Sequence, residues 1–211
     1  MLNPSPASVR VRAGQEGLFK AGDVGPLWRV VEGTARLDRE TGSSRLPVQL
    51  ALPGDLIGIE ALCDQPYQFT ASAFTDCRLE PVPVATEAER QALLRQALFQ
   101  QQLRCHDMAT LRTGSVLSRL ASLLRLMGLP WQGAHAVDET CADALRAALP
   151  ALRELALMVD AKSETVCRAL AQLLPPRRRK SGPVRLHPVP SIAPRVFAPW
   201  TSPTLSRKAM A

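Results

Sequence analysis

The chain has 211 residues, 46% of them hydrophobic, enough for one large or two small buried cores. No apolar run approaches the ~20 residues of a membrane span, and Met1–Arg12 has no apolar signal-peptide centre, so a soluble cytoplasmic protein without a membrane partner is expected. The net charge of +7 is uneven: residues 175–211 carry +8 and no acid, which is either a phosphate-contacting end or a solvated basic tail.

Residues 19–84 read as short strands and turns, the pattern of a small barrel or roll. Phe19 to Asp23 ends a strand in a Gly-Asp turn, Leu27 to Gly33 is β-rich, and Thr34 to Leu37 alternates. Thr41-Gly42-Ser43 is a hairpin tip, Leu46 to Leu52 resumes the strand, Pro53 to Gly58 turns, and Phe69 to Pro83 gives two more strands. Thr86 then N-caps a helix whose first turn holds Glu87 and Glu89, favourable for the helix dipole. Leu94, Leu98, Gln101, Cys105 and Met108 step by 4, 3, 4, 3, a seam that suits a parallel helix pair between two subunits or packing against the roll of the same chain. Ser115 to Met127 is a second amphipathic helix, with Val116, Leu120, Leu123, Leu124 and Met127 inward and Arg119 and Arg125 outward. Trp131 to Ala142 reads as a loop or short strands, and Cys141 to Leu149 as a helix stopped by Pro150.

Leu152 to Leu173 is two apolar-periodic segments around a polar break at Val159-Asp160-Ala161. Val166, Ala169, Leu170 and Leu173 repeat the helical spacing, which leaves Lys162, Ser163, Glu164 and Arg168 on the opposite face. Such a face suits the DNA major groove, where Arg pairs with guanine and Glu accepts from cytosine; an ordinary helical hairpin in a core has the same periodicity. The run Lys162-Ser163-Glu164-Thr165-Val166-Cys167-Arg168-Ala169-Leu170, preceded by Arg153-Glu154-Leu155-Ala156, resembles the helix-turn-helix of the cyclic-AMP receptor protein/FNR superfamily of bacterial transcription regulators, whose recognition helix reads S-R-E-T-V-x-R-x-L. Ser163 replaces the usual first arginine, and Asp160 stands where the turn often has glycine. Gly22-Asp23, Val31-Glu32-Gly33 and Pro53-Gly54-Asp55-Leu56-Ile57-Gly58 resemble, in order, landmarks of that superfamily's amino-terminal roll.

The resemblance implies an α+β chain. Residues 1–85 would form a cyclic-nucleotide-binding-type β-roll, 86–113 a long dimerisation helix with its hinge at Thr113-Gly114, and 114–190 a winged helix-turn-helix domain. The remaining 191–211 would be a disordered basic tail. It implies a homodimeric, sequence-specific regulator of transcription with double-stranded DNA, a second copy and RNA polymerase as partners. Glu164 and Arg168 would read base edges, Lys162, Ser163 and Thr165 would meet phosphates or neighbouring bases, and Arg177, Arg178, Arg179 and Lys180 would clamp the backbone. Pro175-Pro176 breaks the helix, Ser181-Gly182 turns, and Val184 to Leu186 returns as an irregular wing strand.

The same resemblance locates an effector pocket at Gly58, Ile59, Glu60, Phe69 and Thr70. Nucleotide-binding relatives carry a ribose-binding glutamate where this chain has Ile59, and a phosphate-binding arginine where it has Phe69; Thr70 keeps the hydroxyl. No cation lies between Arg45 and Arg78, and a buried phosphate without one would be an unpaired charge. Cyclic AMP is therefore not expected, and the pocket holds an uncharged effector of unknown identity or is filled by Phe69 and Tyr67. Cys63, Cys77, Cys105, Cys141 and Cys167 include no C-x-x-C pair and none lies near the amino terminus, which speaks against a disulfide scaffold, a structural zinc site and an iron–sulfur cluster. An enzyme is not expected: residues 19–84 contain no histidine for a metal-dependent barrel, and no Ser-His-Asp or P-loop constellation is present. The alternative function is a small-molecule or redox sensor acting through protein contacts rather than DNA.

Overall fold

Glycine turns divide the amino-terminal half of the computed structural model, which describes residues 8–14, 17–42, 44–129 and 139–174. The strands are β1 Val9–Val11, β2 Trp28–Glu32, β3 Ala35–Thr41, β4 Ser44–Ala51, β5 Leu56–Ile57, β6 Thr70–Ala73 and β7 Cys77–Pro81. They form two antiparallel sheets of order β1-β7-β2-β5 and β4-β3-β6. Gly33 lets the chain cross from one sheet to the other. Its φ is 77°, and a Cβ there would lie 1.9 Å from the Asp76 carbonyl oxygen.

Period-2 alternation gives β3 two jobs. Ala35 and Leu37 join Val30, Ile57, Tyr67 and Leu79 in the roll core. Arg36 and Asp38 point to the other face and are nonetheless buried, because the helical half covers it. Leu50, directly opposite Arg36, shares that outer face and packs with the helices.

The helices are α1 Glu87–Thr110, α2 Val116–Leu126, α3 Glu139–Ala148, α4 Leu152–Met158 and α5 Ser163–Leu173, with a 3-10 turn at Ile59–Cys63. Thr86 caps α1, as the sequence suggests, and Glu89 reaches back to complete a capping box with it. Leu120, Leu123 and Leu124 of α2 meet Leu155 and Met158 of α4 and Val166 and Leu173 of α5 in a core that takes in Leu50 and Phe74 of the roll.

The structure corrects several sequence readings: Leu56–Ile57, read as part of a turn, is β5, and Phe19, read as the end of a strand, makes only an isolated bridge to Ala71. β1 pairs with β7 ahead of the expected first strand; its three residues are too short to show a period. Residues 139 and 140, read as loop or short strands, already belong to the first turn of α3. Arg119, read as outward, is half-buried and donates from Nη1 to the carbonyls of Val159 (2.6 Å) and Asp160 (3.2 Å). A long cationic side chain on a helix flank can turn back towards free carbonyls, which periodicity does not register. The expected wing and tail lie outside the described residues, as do Arg177, Arg178, Arg179 and Lys180.

Candidate functional site

The α4–α5 pair is set by its turn. Asp160 adopts φ 48°, the left-handed conformation that glycine would take most easily. Ala161 N–H donates to the Ala156 carbonyl (3.0 Å) and Asp160 N–H to that of Leu157 (3.4 Å), the paired bonds of a Schellman helix end. With Arg119 holding the next two carbonyls, the turn is fixed from both sides. Val166, Ala169 and Leu173 are buried on α5, so Glu164 and Arg168, four residues apart, share its opposite, exposed face. Cys167 is exposed beside them. Lys162, Ser163 and Thr165 are exposed around the amino-terminal end, where Lys162 occupies the cap position without a side-chain capping bond. The structure thus brings five of the nine expected DNA-binding residues to one end and face of one helix.

The expected effector residues surround a filled roll. Tyr67, rather than Phe69, is the deep plug: it is buried, stacks on Phe19 with centroids 3.9 Å apart, and donates its hydroxyl to the Pro26 carbonyl at 2.6 Å. Burial pushes its phenol pKa up. Gly58, at φ 68°, must be glycine because a Cβ would lie 2.5 Å from the Tyr67 ring. Ile59 is half-buried against the base of α1. Phe69 is also half-buried, with Arg39 5.7 Å above its ring. Glu60 accepts from Gln68 N–H (2.9 Å). The Thr70 hydroxyl accepts from Ala21 N–H and donates to Glu40, both at 3.1 Å. Buried Gln49, opposite Leu37 and so on the interior face, leaves its Nε2 without a partner among the described residues.

α1 grips the segment that carries Gly58. Gln100 donates from Nε2 to the Leu56 carbonyl (2.8 Å) and accepts from Leu56 N–H (2.7 Å), completing the open edge of β5 as a neighbouring strand would. Arg104 donates to Asp55 at 2.8 Å, and Asp55 in turn accepts from Leu52 N–H at 2.8 Å. Burial pushes the Asp55 carboxyl upwards in pKa, opposed by the Arg104 charge. Neither Gln100 nor Arg104 stands out in the sequence, since one serves a strand edge and the other a turn that periodicity does not place beside α1.

The five seam positions fall in one arc of α1, along the border between its packed and its open side. Leu94, Gln101 and Met108 are half-buried on the side towards their own chain, while Leu98 and Cys105 are exposed. The outward apolar group is Leu98, Phe99 and Leu103, exposed by 60%, 63% and 51%. Among the described residues no group of three His, Cys, Asp or Glu side chains could hold a metal ion, and no helix is long and apolar enough to cross a membrane.

A model of the cyclic nucleotide-binding domain matches residues 8–85. Transcriptional regulator SdrP of Thermus thermophilus is 35% identical to this chain, over 74% of this chain and 80% of that protein. Among solved structures, TTHB099, a CRP-family transcriptional regulator also from Thermus thermophilus, superposes with a TM-score of 0.58 at 25% identity, covering 78% of this chain and 83% of that one. FixK2 from Bradyrhizobium japonicum, at 20% identity, shares the fold with a TM-score of 0.56 over 80% of this chain and 84% of its own. A β-roll followed by helices, matched over most of its length by transcriptional regulators, places this chain in the CRP/FNR family of transcriptional regulators.

Proposed function

We propose that this regulator binds DNA sequence-specifically as a homodimer on a two-fold symmetric operator, in the cytoplasm and in contact with RNA polymerase, without responding to cyclic AMP and without catalysing a reaction. The observation that carries the reading is the exposed face of α5. Glu164 and Arg168 stand on it side by side, over a buried Val166–Ala169–Leu173 stripe that fixes their direction. A helix presenting that pair can accept from cytosine N4 and donate to guanine O6 and N7 in the major groove. In this reading α4 and α5 are the helix-turn-helix, Lys162, Ser163 and Thr165 meet phosphates or flanking bases, and Arg177 to Lys180 clamp the backbone from a wing.

Leu98, Phe99 and Leu103 support the homodimer, because an apolar strip on the outside of a long helix gains by pairing with its symmetry mate. Phe69 at the phosphate-binding position and the Phe19–Tyr67 stack support insensitivity to cyclic AMP. The Gln49 Nε2, without a partner among the described residues, favours an uncharged polar effector over a charged one.

Selection of bound duplexes from random DNA tests the function. A symmetric consensus is expected, and Arg168→Ala should weaken the selected site by about tenfold or more while relaxing one base pair in each half. Equal affinity of wild type and variant for the selected and for random duplexes would refute the assignment of α5.

A further inference from the structure

Arg36 lies in the roll, yet its ion-pair partners belong to both halves of the molecule. It is 5% exposed, and its Nε lies 2.8 Å from Asp38 Oδ1 and donates to Oδ2 at 3.0 Å; Asp38 is 0% exposed. Its Nη1 reaches across 118 positions of sequence to pair with Glu154 in the first turn of α4. Burial disfavours the guanidinium charge, and the hydrogen bonds it donates to Asp38 and Glu154, with their negative charges, more than offset this, so the Arg36 pKa is raised.

The three members of this cluster differ in what they can do without each other. Asp38 has no access to water, so it and Arg36 must remain paired on the covered outer face of the roll. Glu154 keeps 29% of its side chain exposed and has a second cation at hand: Arg153 Nε, on a side chain 82% exposed, is 3.1 Å away. Glu154 can therefore exchange Arg36 for water and Arg153, leaving a neutral pair behind. The covalent connection between the halves runs through Thr113 and Gly114, both exposed, with Gly114 at φ 87°.

We infer that Arg36, held by Asp38, is a positioning residue for DNA binding: through Glu154 it latches α4 to the roll and sets the direction in which α5 faces. The inference rests on the reading of α5 as the DNA-contacting helix. The latched arrangement is the DNA-competent one, because α4 is held from the roll side while Glu164 and Arg168 stay exposed. In a dimer, two latched α5 helices have a fixed separation, and a two-fold operator is read only when both fit at once.

The test uses the full chain with Glu154→Gln, which keeps the side-chain volume, and Glu154→Asp, which keeps the first-turn charge but shortens the reach. Affinity is measured for the selected symmetric duplex and for a duplex with one half-site. Tryptic cleavage after Arg112, whose Nη2 donates to the Pro47 carbonyl at 3.2 Å beside the hinge, reports opening without DNA. Both variants should bind the symmetric duplex at least tenfold more weakly, bind the single half-site as wild type does, and be cut several-fold faster. Wild-type affinity and cleavage in both variants would overturn the latch. So would an equal loss on both duplexes, which would make Glu154 a support for the helix pair itself. If wild type binds no duplex, the reading of α5 fails instead, and the latch stands or falls on the cleavage rates.

Discussion

Cys77 shows how burial sets the chemistry of a single residue. Its thiol lies within 3.0 Å of the Thr34 carbonyl and 3.1 Å of that of Thr75, and burial pushes its pKa up to about 11. The folded state thus favours the neutral thiol. That contribution to stability is complete below the ordinary thiol pKa of about 9 and is lost as pH rises through about 11. Two outcomes are expected. Thiol reagent at pH 8 should label exposed Cys63, Cys105 and Cys167 and spare Cys77, as peptide mapping would show, and the melting temperature of wild type should fall more than that of Cys77→Ser between pH 9 and 11. Asp160 is a residue whose role is legible from the sequence. A non-glycine stands where the turn prefers glycine, and the structure gives it φ 48°, a conformation Asp tolerates better than most residues.

At the scale of elements, α1 divides what is readable from what is not. Its start is readable, because a capping box needs only residues three apart, Thr86 and Glu89. Its faces are not, because each is defined by what lies across from it. Gln100 and Arg104 serve β5 and the Pro53–Asp55 turn, and Leu94 and Met108 complete cores of their own chain. Phe99 and Leu103 are left as the strongest outward apolar pair. Replacing both with Ser should raise the dimer dissociation constant by about a hundredfold or more in sedimentation equilibrium, given about 1.5–3 kcal/mol per buried large apolar side chain. Replacing Leu94 and Met108 should act chiefly on stability; a reversal of these effects would place the dimer contact on the line expected from spacing.

For the whole molecule, the decisive contact is between the halves. Phe74, 4% exposed at the end of β6, shares one core with Leu155 and Val159 of the helical half. The roll and helices should therefore unfold as one transition in calorimetry. Phe74→Ala should cost about 3–5 kcal/mol and split that transition in two, because it removes apolar contact at the joint while sparing the centre of either half.

The sequence by itself determined the succession of a strand-rich roll and helices, most of the roll's turns, the cap of α1, the buried stripe of α5 and the identity of the residues opposite it. All of these depend on spacings of a few residues, which local sterics and periodicity translate into structure. The tertiary structure alone decided what fills the roll, which side of α1 stays free, and where Arg36 and Arg119 send their charge. Those outcomes rest on pairs far apart in the chain, such as Phe19 with Tyr67 and Arg36 with Glu154. A long side chain takes its partner from whatever the fold brings within reach, and no spacing in the sequence encodes that distance.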